Sequence, residues 1–311
     1  MIGPRRRRRW PVVVACMLVG IGICACTSSA PKAGTKSTTG PPTTPNDYYV
    51  SLGDSYAAGW EATGPGGAGQ TTTHGYAYQV PHLAAALGYH LTTVNFGCGG
   101  ATTASILKSR GCAILGPGAP NYSNQTQAAA AEAFLTKHQG KIGLITVTIG
   151  GNDLVIDCLT SKDPVGCVIQ AAASITLNLP ILLQGLRAAA GPDVPIIGLT
   201  YPDVILGDYL SADPSTRALA APSLTSYMTI FNPALQKQYE AVGATFVDVT
   251  EGSGAYTPFD RTTTLDPVGT VPVAVARVCQ LTFFCQYGDV HPTTAGYTLI
   301  AGLITDALPK K

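Results

Sequence analysis

The sequence predicts an α/β fold: a three-layer α/β/α sandwich around a five-stranded parallel sheet. Three observations predict it. Short runs rich in β-branched and aromatic residues alternate with longer segments of helical period, as βαβ units require. The run at 142–149 is nearly continuous in apolar and β-branched residues, which suits a strand buried on both faces. Gly-rich polar turns follow the strand-like runs, and in an open parallel sheet such turns gather at the carboxyl ends of strands, where sites form.

Taken in order, residues 48–52 form the first strand. Residues 76–87 read as a helix despite Pro81, because Tyr76, Val80, Leu83 and Leu87 recur at helical spacing. The second strand covers 91–96. The alanine-rich stretch 124–138, with Phe134 and Leu135, is a helix. After the third strand at 142–149 comes a long helix over 165–190, with a kink expected at Pro180. The fourth strand is 194–200, a helical region broken around Pro222 covers 215–242, and the fifth strand is 244–249. The closing helix, 294–308, is expected to pack through Ala295, Leu299, Gly302 and Leu303. Two long loops remain, 61–73 and 252–276, and are read as walls of a substrate cleft. No internal repeat is evident.

The amino terminus is a targeting segment. Arg5 to Arg9 precede a thirteen-residue apolar stretch, Pro11 to Ile23, shorter than the roughly 20 residues of a membrane span. Residues 1–26 therefore read as a secretory signal peptide. Its end, Ile23-Cys24-Ala25-Cys26, resembles a bacterial lipobox with Cys26 as the lipidated residue, and a membrane tether through Cys26 is expected, with plain cleavage near Ala25 and secretion as the alternative. Residues 27–46, rich in Thr, Ser, Pro and Gly, are a disordered tether, and 47–311 form the folded domain. No later segment reads as long and apolar enough to span a membrane.

Composition narrows the function. Apolar residues make up 46% of the chain and charged ones only 12%, which supports a large core under a Thr-, Ser- and Gly-rich surface. Of 19 lysines and arginines five belong to the leader, leaving 14 against 18 acidic residues, a formal charge of −4 outside it. Such a chain lacks the clustered basic charge of a nucleic-acid binder. Six of the nine cysteines follow the leader: Cys98, Cys112, Cys158, Cys167, Cys279 and Cys285. In an exported protein they imply disulfides, and six allow fifteen connectivities. Pairing of sequence neighbours, 98–112, 158–167 and 279–285, is the simplest. His74, His82 and His90 are eight apart and make no helical metal pair, so neither metal nor cofactor is expected. A monomer is expected.

Four segments carry the chemistry. Gly53-Asp54-Ser55 ends the first strand and starts a helix, with a serine hydroxyl exposed at the junction. Asn95-Phe96-Gly97-Cys98-Gly99-Gly100 follows the second strand, Gly150-Gly151-Asn152-Asp153 follows the third, and Asp289-Val290-His291-Pro292 precedes the closing helix. A serine hydroxyl needs a base to become a nucleophile, and histidine is the side chain best suited near neutral pH. A tetrahedral intermediate needs donors already in place, which a close backbone N–H and a neutral amide supply. Asp153 and Asp157, four apart, are read as holding or solvating their loop, and Trp60, Tyr56 and Phe283 as core aromatics rather than an acyl pocket.

In this order over one domain length, the four segments resemble the blocks of the SGNH hydrolases, the GDSL esterases and lipases. The resemblance implies their flavodoxin-like fold, Ser55 as nucleophile, His291 as general base, and an oxyanion hole of the Ser55 and Gly100 N–H groups with the Asn152 amide. The family usually carries Asp three residues before the histidine. Here that position is Gly288, and Asp289 lies two before His291. A Ser-His dyad supported by the Gly288 carbonyl is preferred, with support from the Asp289 carboxylate as the alternative. The three neighbouring cysteine pairs resemble exported actinobacterial members acting on lipid or aryl esters.

The expectation is an exported serine esterase or lipase acting on a small-molecule or lipid ester through an acyl-enzyme. A carbohydrate O-deacetylase and a catalytically inactive surface-binding scaffold are the alternatives.

Overall fold

The five predicted strands pair, all in parallel, into one sheet in the computed structural model. The model describes the backbone of residues 47–158 and 164–310 and the side chains of 47–154 and 169–310. The expected signal peptide, the tether and Cys26 lie outside the described residues, as do the side chains of Cys158 and Cys167.

In chain order the strands are β1 (Asp47–Gly53), β2 (Trp60–Ala62), β3 (Gly69–Thr71), β4 (Leu91–Asn95), β5 (Ile142–Thr148), β6 (Ile196–Leu199), β7 (Thr245–Val247), β8 (Thr262–Leu265) and β9 (Gly269–Pro272). The main sheet runs β4-β1-β5-β6-β7. Its order reverses at β1, so the crevice at the carboxyl ends of β1 and β5 is the topological switch point. Both β1 and β5 end there in one of the four segments read from the sequence.

Successive side chains of a strand point to opposite faces, and β1 uses both. The Tyr48 ring meets Phe134 edge-on at 5.1 Å, on the face covered by the helices Gln127–Lys137, Pro164–Ala190 and Asn232–Glu240. Tyr49 points the other way, its hydroxyl 2.8 Å from Thr146 Oγ1, and Tyr76 OH meets Thr148 Oγ1 at 2.7 Å on the same face. There the helices Tyr76–Ala84 and Thr294–Asp306 pack together. The three layers are thus read directly from the alternation.

Several expectations change. The closing helix buries Tyr297, Ile300, Ala301 and Ile304, a face rotated from the expected one, and leaves Ala295 exposed. The long helix runs Pro164–Ala190 with Pro180 inside it, as expected. Its stretch Ile169–Ala190 is long and apolar enough to cross a membrane, contrary to the sequence reading. Its buried face, with Ile175, Leu179, Leu182, Leu183 and Leu186, belongs to the main core. The 61–73 loop holds the antiparallel hairpin β2–β3. The 252–276 loop holds the hairpin β8–β9 and the start of a helix, Val273–Leu281.

Candidate active site

The strand β1 ends on Gly53, whose φ of +135° favours glycine, and a Cβ there would meet the Thr148 carbonyl oxygen at 1.9 Å. Gln127 grips both polar groups of this glycine, accepting its N–H at 2.7 Å and donating to its carbonyl at 2.9 Å. Asp54 then caps the helix Ser55–Ala58, accepting the Tyr56 N–H at 2.9 Å and the Tyr201 hydroxyl at 2.6 Å. Burial pushes the Asp54 carboxyl up to about 6, against the opposing pull of these bonds and of His291. The helix is a single turn. Its first N–H groups, Ser55 among them, have no intrahelical carbonyl partner.

Ser55 Oγ lies 2.8 Å from His291 Nε2, and His291 Nδ1 lies 2.7 Å from Asp289 Oδ1. A carboxylate only accepts, so Nδ1 carries the ring proton and Nε2 is left to accept from the serine hydroxyl. The His291 support is thus the Asp289 side chain, and the preference for the Gly288 carbonyl is corrected. The physical reason is a turn. The helix Phe284–Tyr287 ends at Gly288, whose N–H donates to the Phe284 carbonyl. Asp289 Oδ1 then accepts the His291 N–H at 2.9 Å, an Asx-type turn that folds the carboxylate back onto the ring two residues on. Burial raises the Asp289 carboxyl, but its bonds to His291 and the ring charge outweigh this and hold it below its ordinary value.

The histidine loop is fixed from outside as well. Tyr56 OH donates to the Val290 carbonyl at 2.6 Å, and the Trp60 and His291 ring centroids lie 5.9 Å apart. Tyr297 OH donates to the Trp60 carbonyl, and Thr294 OH to Glu61 Oε1 at 2.6 Å. Hairpin β2–β3 is thereby tied to the start of the closing helix. Glu61 also meets His74 Nδ1 at 2.8 Å.

On the other side of Ser55, Asn152 Nδ2 donates to the Ala101 carbonyl at 2.9 Å and, having two N–H groups, keeps one for another acceptor. Asp153 accepts both the N–H and the hydroxyl of Thr103, at 2.9 and 2.6 Å, so it holds the loop as expected. Gly100 has φ +79° with open space where a Cβ would stand. Its neighbours Gly99 and Ala101 donate to the Ile114 and Cys98 carbonyls, whereas no hydrogen bond from the Gly100 N–H is found among the described residues.

Ser55 and Asn152 open onto one small cavity of about 40 Å³, which Tyr56 also lines, so Tyr56 is a cleft residue as well as a core one. Gly100 lines the next cavity, of about 150 Å³, beside the Cys98–Cys112 disulfide. The second disulfide, Cys279–Cys285, closes the segment before His291. Both are neighbour pairs, and the expected Cys158–Cys167 pair falls outside the described side chains. Gln127 and Glu61 carry no signal in the sequence, whereas Asp54 stands beside Ser55 in its turn and Tyr201 opens the Tyr201-Pro202-Asp203 turn after the fourth strand, read as a border of the site.

Residues 51–299 match the model of the GDSL-like lipase/acylhydrolase family. Among solved structures, the chain is similar to an extracellular lipase of Streptomyces rimosus, with 19% identity and a TM-score of 0.47 over 84% of this chain and all of that one. It is also similar to an aryl esterase of M. smegmatis, at 12% identity and a TM-score of 0.43 over 84% and 97% of the two chains. A third is a carbohydrate esterase family 2 enzyme with a carbohydrate-binding domain from Corynascus thermopiles, at 16% and 0.45 over 86% and 67%. No curated protein matches the chain.

Proposed function

Because this chain belongs to the GDSL-like lipase/acylhydrolase family, we propose that it hydrolyses carboxylic esters through a Ser55–His291–Asp289 triad. The observation that carries the reading is the unbroken relay from serine oxygen to imidazole to carboxylate, at 2.8 and 2.7 Å. Ser55 Oγ attacks the ester carbonyl as Nε2 takes its proton. The oxyanion is met by the N–H groups of Ser55 and Gly100 and by the Asn152 amide. The intermediate collapses, the C–O bond to the alcohol breaks, and His291 returns the proton to the leaving oxygen. A water, deprotonated by His291, then cleaves the acyl-enzyme and releases the acid. Asp289 stabilises the imidazolium and holds its tautomer.

The protein is exported in this reading. The basic and apolar leader supports it, and so do two disulfides, which persist in oxidising compartments. Cys26 is the candidate lipid anchor, with 27–46 as its tether and Cys158–Cys167 as a third disulfide. The partner is a small-molecule or lipid ester. The assembled triad favours this over an inactive scaffold. The test is hydrolysis of p-nitrophenyl acetate by wild type and Ser55→Ala. The variant loses about 10³-fold or more in kcat while keeping its unfolding midpoint. Turnover within tenfold of wild type contradicts the assignment.

A further inference from the structure

We infer that the cavity beside Ser55 is an acyl site that admits only short acyl groups, with Tyr227 as its stop. The inference rests on the ester-hydrolase reading and names its substrate class: esters of small acids, whatever their alcohol. The leaving alcohol must sit against His291 Nε2, which hands it a proton. The cavity is lined by Ser55 and Asn152 but not by the His291 ring. A carbonyl with its oxygen toward Asn152 therefore sends its acyl chain, not its alcohol, into this space.

The cavity measures about 40 Å³. A space of this size holds only a few water-sized groups, so a short acyl chain fills it. Its walls include Leu154, Tyr201, Val204 and Tyr227, which suit a hydrocarbon, and the acidic side chain among them, Asp54, is engaged by the Tyr201 hydroxyl.

The stop is braced. Tyr227 opens a π-helical turn, Tyr227–Phe231, and its ring packs edge-on against Phe231 at 5.4 Å. Phe231 in turn contacts Tyr201 at 6.5 Å, and Tyr201 is bonded to Asp54 beside the nucleophile. The preceding helix, Ala220–Ser226, is pinned by the Ser223 hydroxyl donating at 2.8 Å to Asp203, a fully buried carboxyl on the turn after β6. A longer chain must therefore displace a supported aromatic wall rather than a free loop.

The experiment measures kcat/KM of the full chain on p-nitrophenyl acetate, butyrate and octanoate, with fluorophosphonate labelling of Ser55 as a control. Wild type is expected to favour acetate or butyrate over octanoate by at least about tenfold, in line with steric discrimination in apolar pockets. Tyr227→Ala is expected to raise the octanoate-to-acetate ratio by about tenfold or more. Leu154→Ala, on a different helix, moves the ratio in the same direction and serves if Tyr227→Ala does not fold. A wild type that labels at Ser55 but prefers octanoate overturns the inference and leaves the hydrolase reading standing. Unchanged ratios in folded variants do the same. No labelling and no turnover of any ester overturn both.

Discussion

A carboxylate two residues before a histidine reaches its ring only when the backbone between them turns back, and here one oxygen of Asp289 does both jobs. It accepts the His291 N–H, which makes the turn, and it meets Nδ1, which orients the ring. The Asp and the His are both plain in the sequence. The turn is not, because it depends on where the helix before Gly288 ends. Asp289→Asn keeps the shape but favours the wrong tautomer, so kcat should fall by as much as about 10⁴-fold with little change in KM. A loss under tenfold in steady-state kinetics would restore the carbonyl-supported dyad. Asn152→Ala should cost roughly 10²- to 10³-fold in kcat, since its amide matters most when the oxyanion forms. A change in KM alone would reduce Asn152 to a binding residue. Asp203 concerns stability. Burial pushes its carboxyl from 3.8 up to about 7, against the pull of its Ser223 and backbone bonds. The folded state then holds a proton that the unfolded state has released, so its contribution falls as pH rises from about 4 to 7. Asp289 runs the other way, and its contribution is lost only as pH falls below the ordinary carboxylate range. Asp203→Asn can keep both bonds by donating to Ser223 Oγ, whose hydroxyl also reaches the Ala220 carbonyl. Urea unfolding should show it stabilised relative to wild type at pH 8, by on the order of 2–4 kcal/mol, with the gain gone near pH 4. An equal difference at both pH values would refute the buried-proton account.

At the scale of elements, Ser55, the proposed nucleophile, is placed by the way β1 stops. Gly53 is held by Gln127 through two bonds, from a helix more than seventy residues further along the chain. That helix was legible from its alanines and its apolar pair. The clamp was not, since a glutamine in a helix looks like a surface residue until the sheet is in place. Gln127→Ala strands the buried N–H of Gly53, and thermal or urea unfolding should show a loss of about 1–3 kcal/mol. Fluorophosphonate labelling should slow as well, and a stable variant labelled at the wild-type rate would mean that the clamp does not aim Ser55. The hairpins β2–β3 and β8–β9 escaped detection for a simple reason. Their strands have three or four residues and little apolar content, too few to show a period. The helix Val273–Leu281 begins Val-Ala-Val-Ala-Arg-Val, which alternates like a strand. Only its burial against Leu206 and Val271 settles it as helix.

For the whole molecule, a parallel sheet explains why residues so far apart in sequence share one crevice. The switch at β1 brings Ser55 and Asn152 to adjacent strand ends, and the closing helix packs against Tyr76–Ala84 so that the segment before it falls over Ser55. The central strands β5 and β6 were legible because they are buried throughout and nearly all apolar or β-branched, whereas the edge strands β4 and β7 are only partly buried and are marked by their threonines, valines and aromatics. Their order was not, since it is set by helix packing between segments distant in sequence. On the proposed function, this crevice is built around Ser55 as a nucleophile activated by His291. Mass mapping of the full chain after fluorophosphonate treatment tests it most directly. One adduct is expected, on the peptide bearing Ser55, formed rapidly in wild type, strongly slowed in His291→Ala and absent in Ser55→Ala. An adduct on another residue, or hydrolysis of esters by a protein that Ser55→Ala leaves fully active, would contradict it.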